Sequence, residues 1–307
     1  MDTPRIKNTA AKNVASTSGI AIICRGFKCF VYHVTSILSP SFEPLFKLAH
    51  VKICGYMIQE GERAILIDER GRKYLIKVER RQLHTDFGIL DLAGLIGAEP
   101  GTRIKSHVGK EFVVLSPRMV DYLQKMRRMP QIMLPKDAAQ IVAYTGVGPG
   151  DLVVDAGAGS GALAIFLGNL VRPNGRVISY EVREDFAQLA EENVAIAGLG
   201  DVVNIKRKDI YEGIDEKNVD LVTLDLPQPE RALVHVYGAL KPGGHFVAFS
   251  PCVEHIQRLY MELPKHSFIE YRTIECLVRE FEVKPGATRP STRMIAHTGY
   301  LTFARKI

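Results

Sequence analysis

From residue 135 to residue 263 the chain alternates short apolar runs of strand type with helix-type segments, and this alternation constrains the fold more than any other feature. Strands are expected at 151–155, 176–181, 203–208, 219–225 and 244–250. Helices are expected at 161–171, 183–197, 230–240 and 252–263, with one more from Lys136 to Tyr144 ahead of the first strand. Alternation at this spacing yields a parallel sheet covered by helices on both faces. Beyond 263 the pattern changes. Residues 268–282 and 299–304 both read as strands with no helix between them, which predicts an antiparallel pair closing the sheet.

The first strand of the series, Leu152-Val153-Val154-Asp155, ends on a carboxylate. Ala156-Gly157-Ala158-Gly159-Ser160-Gly161 follows at once, and Ala162-Leu163-Ala164-Ile165-Phe166-Leu167 opens a helix. Such glycines let the backbone turn sharply and approach a ligand closely, so strand, loop and helix start together make a nucleotide cradle. The loop alone is ambiguous, because Gly157-x-Gly159-x-x-Ala162 also satisfies the dinucleotide pattern. Glu181 ends the next strand 20 residues after Gly161, and a carboxylate there can accept hydrogen bonds from both ribose hydroxyls of either cofactor.

Two acids favour S-adenosylmethionine. Asp155 at the strand end suits a ligand with a cationic amino group and a sulfonium, whereas a pyrophosphate wants N–H donors there. Asp209 ends the third strand, where the adenine amino group of such a methyl donor would sit. Asp209 equally reads as the cap of a helical turn at Ile210-Tyr211-Glu212, and the two roles are compatible. The fourth strand runs into Leu224-Asp225-Leu226-Pro227-Gln228-Pro229. Ligands in open α/β sheets bind beyond the carboxyl ends of the strands, which puts Asp225 over the cradle on a loop stiffened by two prolines. The plainer reading of Asp225 is a cap for the helix that starts near Pro229.

Upstream, Ala64-Ile65-Leu66-Ile67-Asp68 and Lys73-Tyr74-Leu75-Ile76-Lys77-Val78 are two strands around the turn Glu69-Arg70-Gly71-Arg72. Further strand-like segments around 102–104 and 111–115 predict a small β domain over 57–115. Ser116-Pro117-Arg118 is expected to start a helix, with Ser116 as cap. It opens a larger domain over 116–307. Residues 1–56 show no clear helix or strand period and are expected to be a weakly ordered extension, dispensable for fold and catalysis, with Met57 an alternative start.

The net charge of +6 is unevenly spread: residues 1–56 hold seven Lys/Arg and two acids, which leaves 33 bases and 32 acids for the rest. Local patches at Arg80-Arg81, at Lys125-Met126-Arg127-Arg128 and at Arg289, Arg293 and Arg305 are therefore better pointers to a polyanion than the total. No apolar run reaches the roughly 18 residues of a membrane span. The five cysteines include no C-x-x-C pair, so neither a metal site nor a paired secreted framework is suggested, and a cytoplasmic location is expected.

Several separated motifs resemble one family in order. Asp225-Leu226-Pro227-Gln228-Pro229, Met133-Leu134-Pro135-Lys136-Asp137-Ala138 and Arg293-Met294-Ile295-Ala296-His297-Thr298-Gly299 are similar to the tRNA (adenine-N1) methyltransferases that modify position 58 of the T loop. Gly61-Glu62-Arg63-Ala64-Ile65-Leu66-Ile67-Asp68 and His84-Thr85-Asp86-Phe87-Gly88 match that family's small N-terminal domain. The resemblance covers 57–307. It implies a class I methyltransferase, Rossmann-like α/β sheet with a small N-terminal β domain, S-adenosyl-L-methionine as cofactor, tRNA as partner and a homotetramer. It implies Asp225 as the catalytic carboxylate and Ser160, Gly161, Ala162, Leu163, Glu181 and Asp209 as cofactor contacts, beside Asp155, Gly157 and Gly159. Archaeal members often methylate position 57 as well. Gln131, His297, Arg127 and Arg128 are candidate substrate contacts. Leu134 stands where members often carry Tyr, which removes one aromatic platform for the target base. Two other readings are a methyltransferase acting on protein or a small molecule, and a non-catalytic tRNA-binding subunit. The first does not need the small β domain, and the second loses the glycine loop that this chain keeps.

Overall fold

A computed structural model describes residues 19–25, 28–34, 56–129 and 131–307. The chain divides into two compact units, one ending at Ser116 and the other running from Pro117 to Ile307.

In the first unit, β1 (Gly19–Arg25) and β2 (Lys28–Val34) pair antiparallel, with Cys24 opposite Cys29. Both runs lie within residues 1–56, where the sequence shows no clear strand period. Half of the fourteen residues in the two runs are β-branched or aromatic, so β-propensity rather than a two-residue period carries them. The rest of the unit holds β3 (Arg63–Asp68), β4 (Lys73–Lys77), β5 (Gln82–Thr85), β6 (Gly88–Asp91), β7 (Arg103–Lys105) and β8 (Glu111–Leu115). Strands β4-β3-β8-β7 form an antiparallel sheet in that order. Its β3–β4 turn is closed by the buried Asp68, whose carboxylate accepts the backbone N–H groups of Arg70 and Arg72, each at 2.9 Å, while Gly71 takes φ +76°. The motif at 84–88 falls within the β5–β6 hairpin, whose strands are too short for a period to reveal. Ile58, Leu66, Leu90, Phe112 and Val114 lie in this unit's core.

The second unit begins with α1 (Met119–Lys125) and α2 (Pro135–Thr145). Ser116 is not the cap of α1. The helix starts three residues later, and the Asp121 carboxylate accepts the N–H of Arg118 at 2.9 Å. Helix α2 has Pro135 in its first turn and stops at Gly146, whose φ of 71° is the left-handed conformation that glycine takes without penalty. Then follow β9 (Leu152–Ala156), α3 (Ala162–Val171), β10 (Arg176–Tyr180), α4 (Glu184–Ile196), β11 (Val203–Lys206), β12 (Val219–Leu224), α5 (Leu233–Ala239), β13 (Leu240–Ser250), α6 (Val253–Glu262) and β14 (Phe268–Glu275). A two-residue pair, β15 (Phe281–Glu282) and β16 (Arg289–Pro290), precedes β17 (Tyr300–Lys306).

The seven-stranded sheet has the order β11-β10-β9-β12-β13-β17-β14. Strands β9 to β13 are parallel neighbours, and β17 runs antiparallel to both β13 and β14. This is the parallel sheet with an antiparallel closing pair expected from the alternation, and it matches the class I methyltransferase sheet that the resemblance implies. Successive residues point to opposite faces, so Val153 joins one core with Ile141 and Ile165 while Val154 joins the other with Leu233 and Phe246. The expected strand over 268–282 stops at Glu275, because Glu275 opposite Tyr300 is the last register pair and nothing beyond it offers a partner strand. Residues 276–299 leave the sheet as an excursion. The carboxyl ends of β9 to β14 and the start of β17 share one edge, and the candidate site is built there.

Candidate active site

The glycine loop is stitched to three strand ends. Ala158 N–H donates to the Tyr180 carbonyl at 3.0 Å, and Gly159 N–H donates to Glu181 Oε2 at 2.9 Å. Asp225 N–H donates to the Ala156 carbonyl at 2.5 Å. Gly161 is the cap of α3 with φ +80°, and a Cβ there would lie 3.3 Å from the Cα of Ala190 in α4. Left-handed backbone and close helix approach together require glycine at this position. A Cβ on Gly157 would sit 3.6 Å from both Glu181 Oε2 and Leu226, so the missing side chain keeps the space between them open. Ala162 and Leu163 form the first turn of α3. Glu181 is buried, and its other oxygen accepts the Arg183 N–H at 3.0 Å. Asp209 caps the turn at Ile210–Glu212 through the Tyr211 N–H at 2.8 Å. A small-residue cradle flanked by the acceptors Glu181 and Asp209 fits the chemistry of S-adenosylmethionine, whose ribose and adenine carry hydroxyl and amino donors.

Asp155 is placed differently from expectation. It is fully buried below the loop, where Oδ2 accepts from Ser179 Oγ at 2.6 Å and Oδ1 from Thr223 Oγ1 at 2.7 Å. Sealed between neighbouring strands at 1% exposure, the side chain braces β10, β9 and β12. Burial pushes its pKa up to about 6, against the pull of the two hydroxyls. Asp225, by contrast, is open to solvent, and its carboxylate has no hydrogen bond to any described residue. The surrounding protein mass and then the Asp155 charge raise its pKa to about 6. Water still reaches it in the open cleft, so this upward push is complete only when a ligand covers it.

The basic patch at 127–128 does not stand free. Arg127 Nη1 pairs with Glu192 at 2.8 Å, and the Arg128 guanidinium donates to the Leu123 carbonyl. Its segment crosses the glycine loop instead: Met129 N–H reaches Ser160 Oγ at 3.3 Å, and Asn193 Nδ2 donates to the carbonyls of both Arg127 and Ser160 at 2.9 Å. Asn193 was not singled out from sequence, although a polar residue beside Ala190 and Val194 on the buried face of α4 was a usable signal. Gln131 is exposed close to this crossing. Arg80 and Arg81 pair with Glu60 and Glu79. Arg289 and Arg293 ride on the excursion, whereas Arg305 lies near the far end of β17, so the three do not gather.

His297 Nδ1 meets Glu275 Oε1 at 2.7 Å, and Nε2 meets the Pro251 carbonyl at 3.0 Å. The Glu275 hydrogen bond and then the carbonyl raise its pKa, which favours the imidazolium. With both ring nitrogens engaged, His297 is a strut and not a base. Lys136 Nζ donates to Thr298 Oγ1 at 2.7 Å, which joins the motif at 133–138 to the motif at 293–299. Leu134 lines a cleft of about 450 Å³ with Lys136, Val278, Arg293, Met294 and Ile295. Among the described residues no cluster of His, Cys, Asp or Glu could hold a metal ion, and no helix is long and apolar enough to cross a membrane. Cys252 and Cys276 are free thiols.

Several known proteins are similar to this chain in sequence and fold. The family described as tRNA methyltransferase complex GCD14 subunit matches residues 114–288, and the TrmI-like N-terminal family matches 57–104. The tRNA (adenine(57)-N(1)/adenine(58)-N(1))-methyltransferase TrmI of Methanocaldococcus jannaschii is 38% identical over 267 residues, which is 78% of this chain and 94% of that protein. The tRNA (adenine(58)-N(1))-methyltransferase TrmI of Thermus thermophilus is 33% identical over 244 residues, 79% of this chain and 96% of that one. Among solved structures, a Thermotoga maritima protein described as a SAM-dependent O-methyltransferase superposes with a TM-score of 0.76 at 38% identity, covering 82% of this chain and 95% of its own. The tRNA (m1A58) methyltransferase TrmI of Aquifex aeolicus superposes with a TM-score of 0.69 at 25% identity, covering 82% and 99%. The chain belongs to the TrmI family of S-adenosylmethionine-dependent tRNA (adenine-N1) methyltransferases.

Proposed function

We propose that the chain transfers a methyl group from S-adenosylmethionine to N1 of adenine at position 58 of the tRNA T loop, and that residues 57–307 carry this activity. The observation that supports it best is Asp225: a carboxylate with no hydrogen-bond partner among the described residues, anchored through its own backbone to the glycine loop at the end of β12. The bound cofactor supplies an electrophilic methyl carbon on a sulfonium. Glu181 and Asp209 hold the ribose and adenine of the donor. Asp225 accepts a hydrogen bond from the exocyclic amine of the target adenine, which orients N1 and offsets the positive charge that develops on the ring. No side chain has to remove a proton, because the N1 lone pair is free. That agrees with a site in which His297 is already doubly bonded. The target base is extruded from the T loop to reach the carboxylate, and cations with no ion pair among the described residues, such as Arg293, hold the phosphates.

The same protein modifies position 57 if its specificity follows the Methanocaldococcus relative, and it assembles as a homotetramer. The exposed Leu277, Phe281, Val283 and Ile295 on the excursion are apolar surface of the kind that oligomers cover. The test is to incubate the protein with T-loop RNA and labelled methyl donor, then map the product by mass spectrometry. Methylation confined to adenine N1 at 58, or at 57 and 58, is expected. Label on a ribose oxygen, or on protein alone, would refute the reading. Light scattering of the same preparation reads the assembly, with four chains expected.

A further inference from the structure

Four polar side chains bind the two feet of the 276–299 excursion to the body of the sheet. One foot is Glu275 and Cys276 at the end of β14, and the other is His297 and Thr298 before β17. Lys136, one residue into α2, donates to Asp137 Oδ1 at 2.8 Å, to the Cys276 carbonyl at 2.6 Å and to Thr298 Oγ1 at 2.7 Å. Thr298 Oγ1 in turn donates to Asp137 Oδ2 at 2.8 Å. The Asp137 side chain is 1% exposed and that of Lys136 12%. His297 closes the outer side by bridging Glu275 and the Pro251 carbonyl.

A buried ion pair loses hydration on both partners and adds little net stability compared with apolar residues of the same volume, so such a pair is weak support for a purely stabilising role. What this one adds is direction. The ammonium has three acceptors at once, and Asp137 uses both oxygens, so the start of α2 and both feet of the excursion are held in one arrangement. The excursion carries Arg293, Met294 and Ile295 across the cleft from Leu134, on the edge of the sheet where β12 ends just before Asp225.

We propose that Lys136, Asp137 and Thr298 form a latch of positioning residues that sets the excursion for engagement of tRNA, without acting on the cofactor. The inference rests on the methyltransferase reading above. The latch separates two halves of the site: the cofactor half on β9 to β11, which it does not touch, and the acceptor half on α2, β14 and the start of β17, which it joins. Removing it frees the excursion while the glycine loop, Glu181 and Asp209 keep their contacts.

The experiment compares Thr298→Val, Thr298→Ser and the combined Lys136→Met/Asp137→Leu/Thr298→Val with wild type. Methylation of tRNA, calorimetric cofactor affinity and melting temperature are measured for each. Thr298→Val should lower kcat/KM for tRNA by about tenfold with cofactor Kd changed less than about twofold, and Thr298→Ser should restore it. The combined apolar variant should melt at or above the temperature of Thr298→Val yet stay poor on tRNA, because packing replaces the stability of the ion pair but not its directionality. Recovery of activity together with stability in the combined variant would mean a structural role only and overturn the latch. So would wild-type kcat/KM in Thr298→Val, or a cofactor affinity that falls as far as activity. A wild-type protein that binds the cofactor but methylates no tRNA would instead overturn the reading on which the latch rests.

Discussion

In the proposed reaction Asp225 offsets the positive charge growing on the ring only when it is ionised, and its pKa is raised to about 6. Methylation at saturating substrate should therefore fall as pH drops through about 6 and level off above it. Asp225→Asn should leave less than about a tenth of the wild-type rate, a loss above ~1.4 kcal/mol, with no such acid limb and with cofactor affinity retained. A variant rate that keeps the wild-type pH profile would show that another group titrates. Glu181 is the complementary case. Removing it to Ala deletes the proposed acceptor for the ribose hydroxyls and the 2.9 Å bond that holds Gly159. Cofactor binding should weaken by roughly 1.5–3 kcal/mol, as for hydrogen bonds to a charged group. Unchanged affinity by calorimetry would remove the ribose assignment.

Where strands meet, Asp155 shows how one side chain can serve the sheet. It joins Ser179 on β10 and Thr223 on β12 from the strand between them, β9. Its pKa rises from 3.8 to about 6 because it is buried, so the folded state prefers the protonated form. That preference contributes stability fully below about pH 4, and the contribution is lost as pH rises through about 6. An amide in its place has no charge to bury. The stability of Asp155→Asn relative to wild type should therefore improve between pH 4 and pH 7, by on the order of 2–3 kcal/mol. Denaturation midpoints at several pH values read this difference directly. A difference that does not vary with pH would mean that Asp155 is ionised at both ends of the range.

Over the whole molecule, charge is nearly balanced beyond residue 56, so the proposed tRNA grip rests on individual cations rather than on net charge. Affinity should fall steeply with salt. Arg293 has no ion pair among the described residues, whereas Arg289 pairs with Glu282, and Arg293→Ala should reduce the slope of log affinity against log salt by about 1. Arg127→Ala should change it less, because Glu192 already neutralises that guanidinium. Equal slopes for the two variants and wild type would place the RNA grip elsewhere.

Local order was the readable part. Strand and helix periods at 152–263, the glycines at 157–161 and the carboxylates at strand ends are properties of neighbouring residues, and backbone geometry converts them into elements and a cradle without further information. The antiparallel closure by β14 and β17 was legible for the same reason, as two strand-like runs with no helix between them. Facing and pairing were decided only by the tertiary structure. Asp155 and Asp225 both follow apolar strand runs, yet one is sealed between Ser179 and Thr223 while the other opens to solvent, because the first neighbours strands on both sides and the second lies just beyond its strand. Arg127 reads as a free cation until α4 brings Glu192 beside it, 65 residues away in sequence. Lys136 and Thr298, 162 residues apart, meet only because β17 returns to the edge of the sheet where α2 begins. Contacts of that separation depend on how elements pack, and no period or local motif in the chain records them.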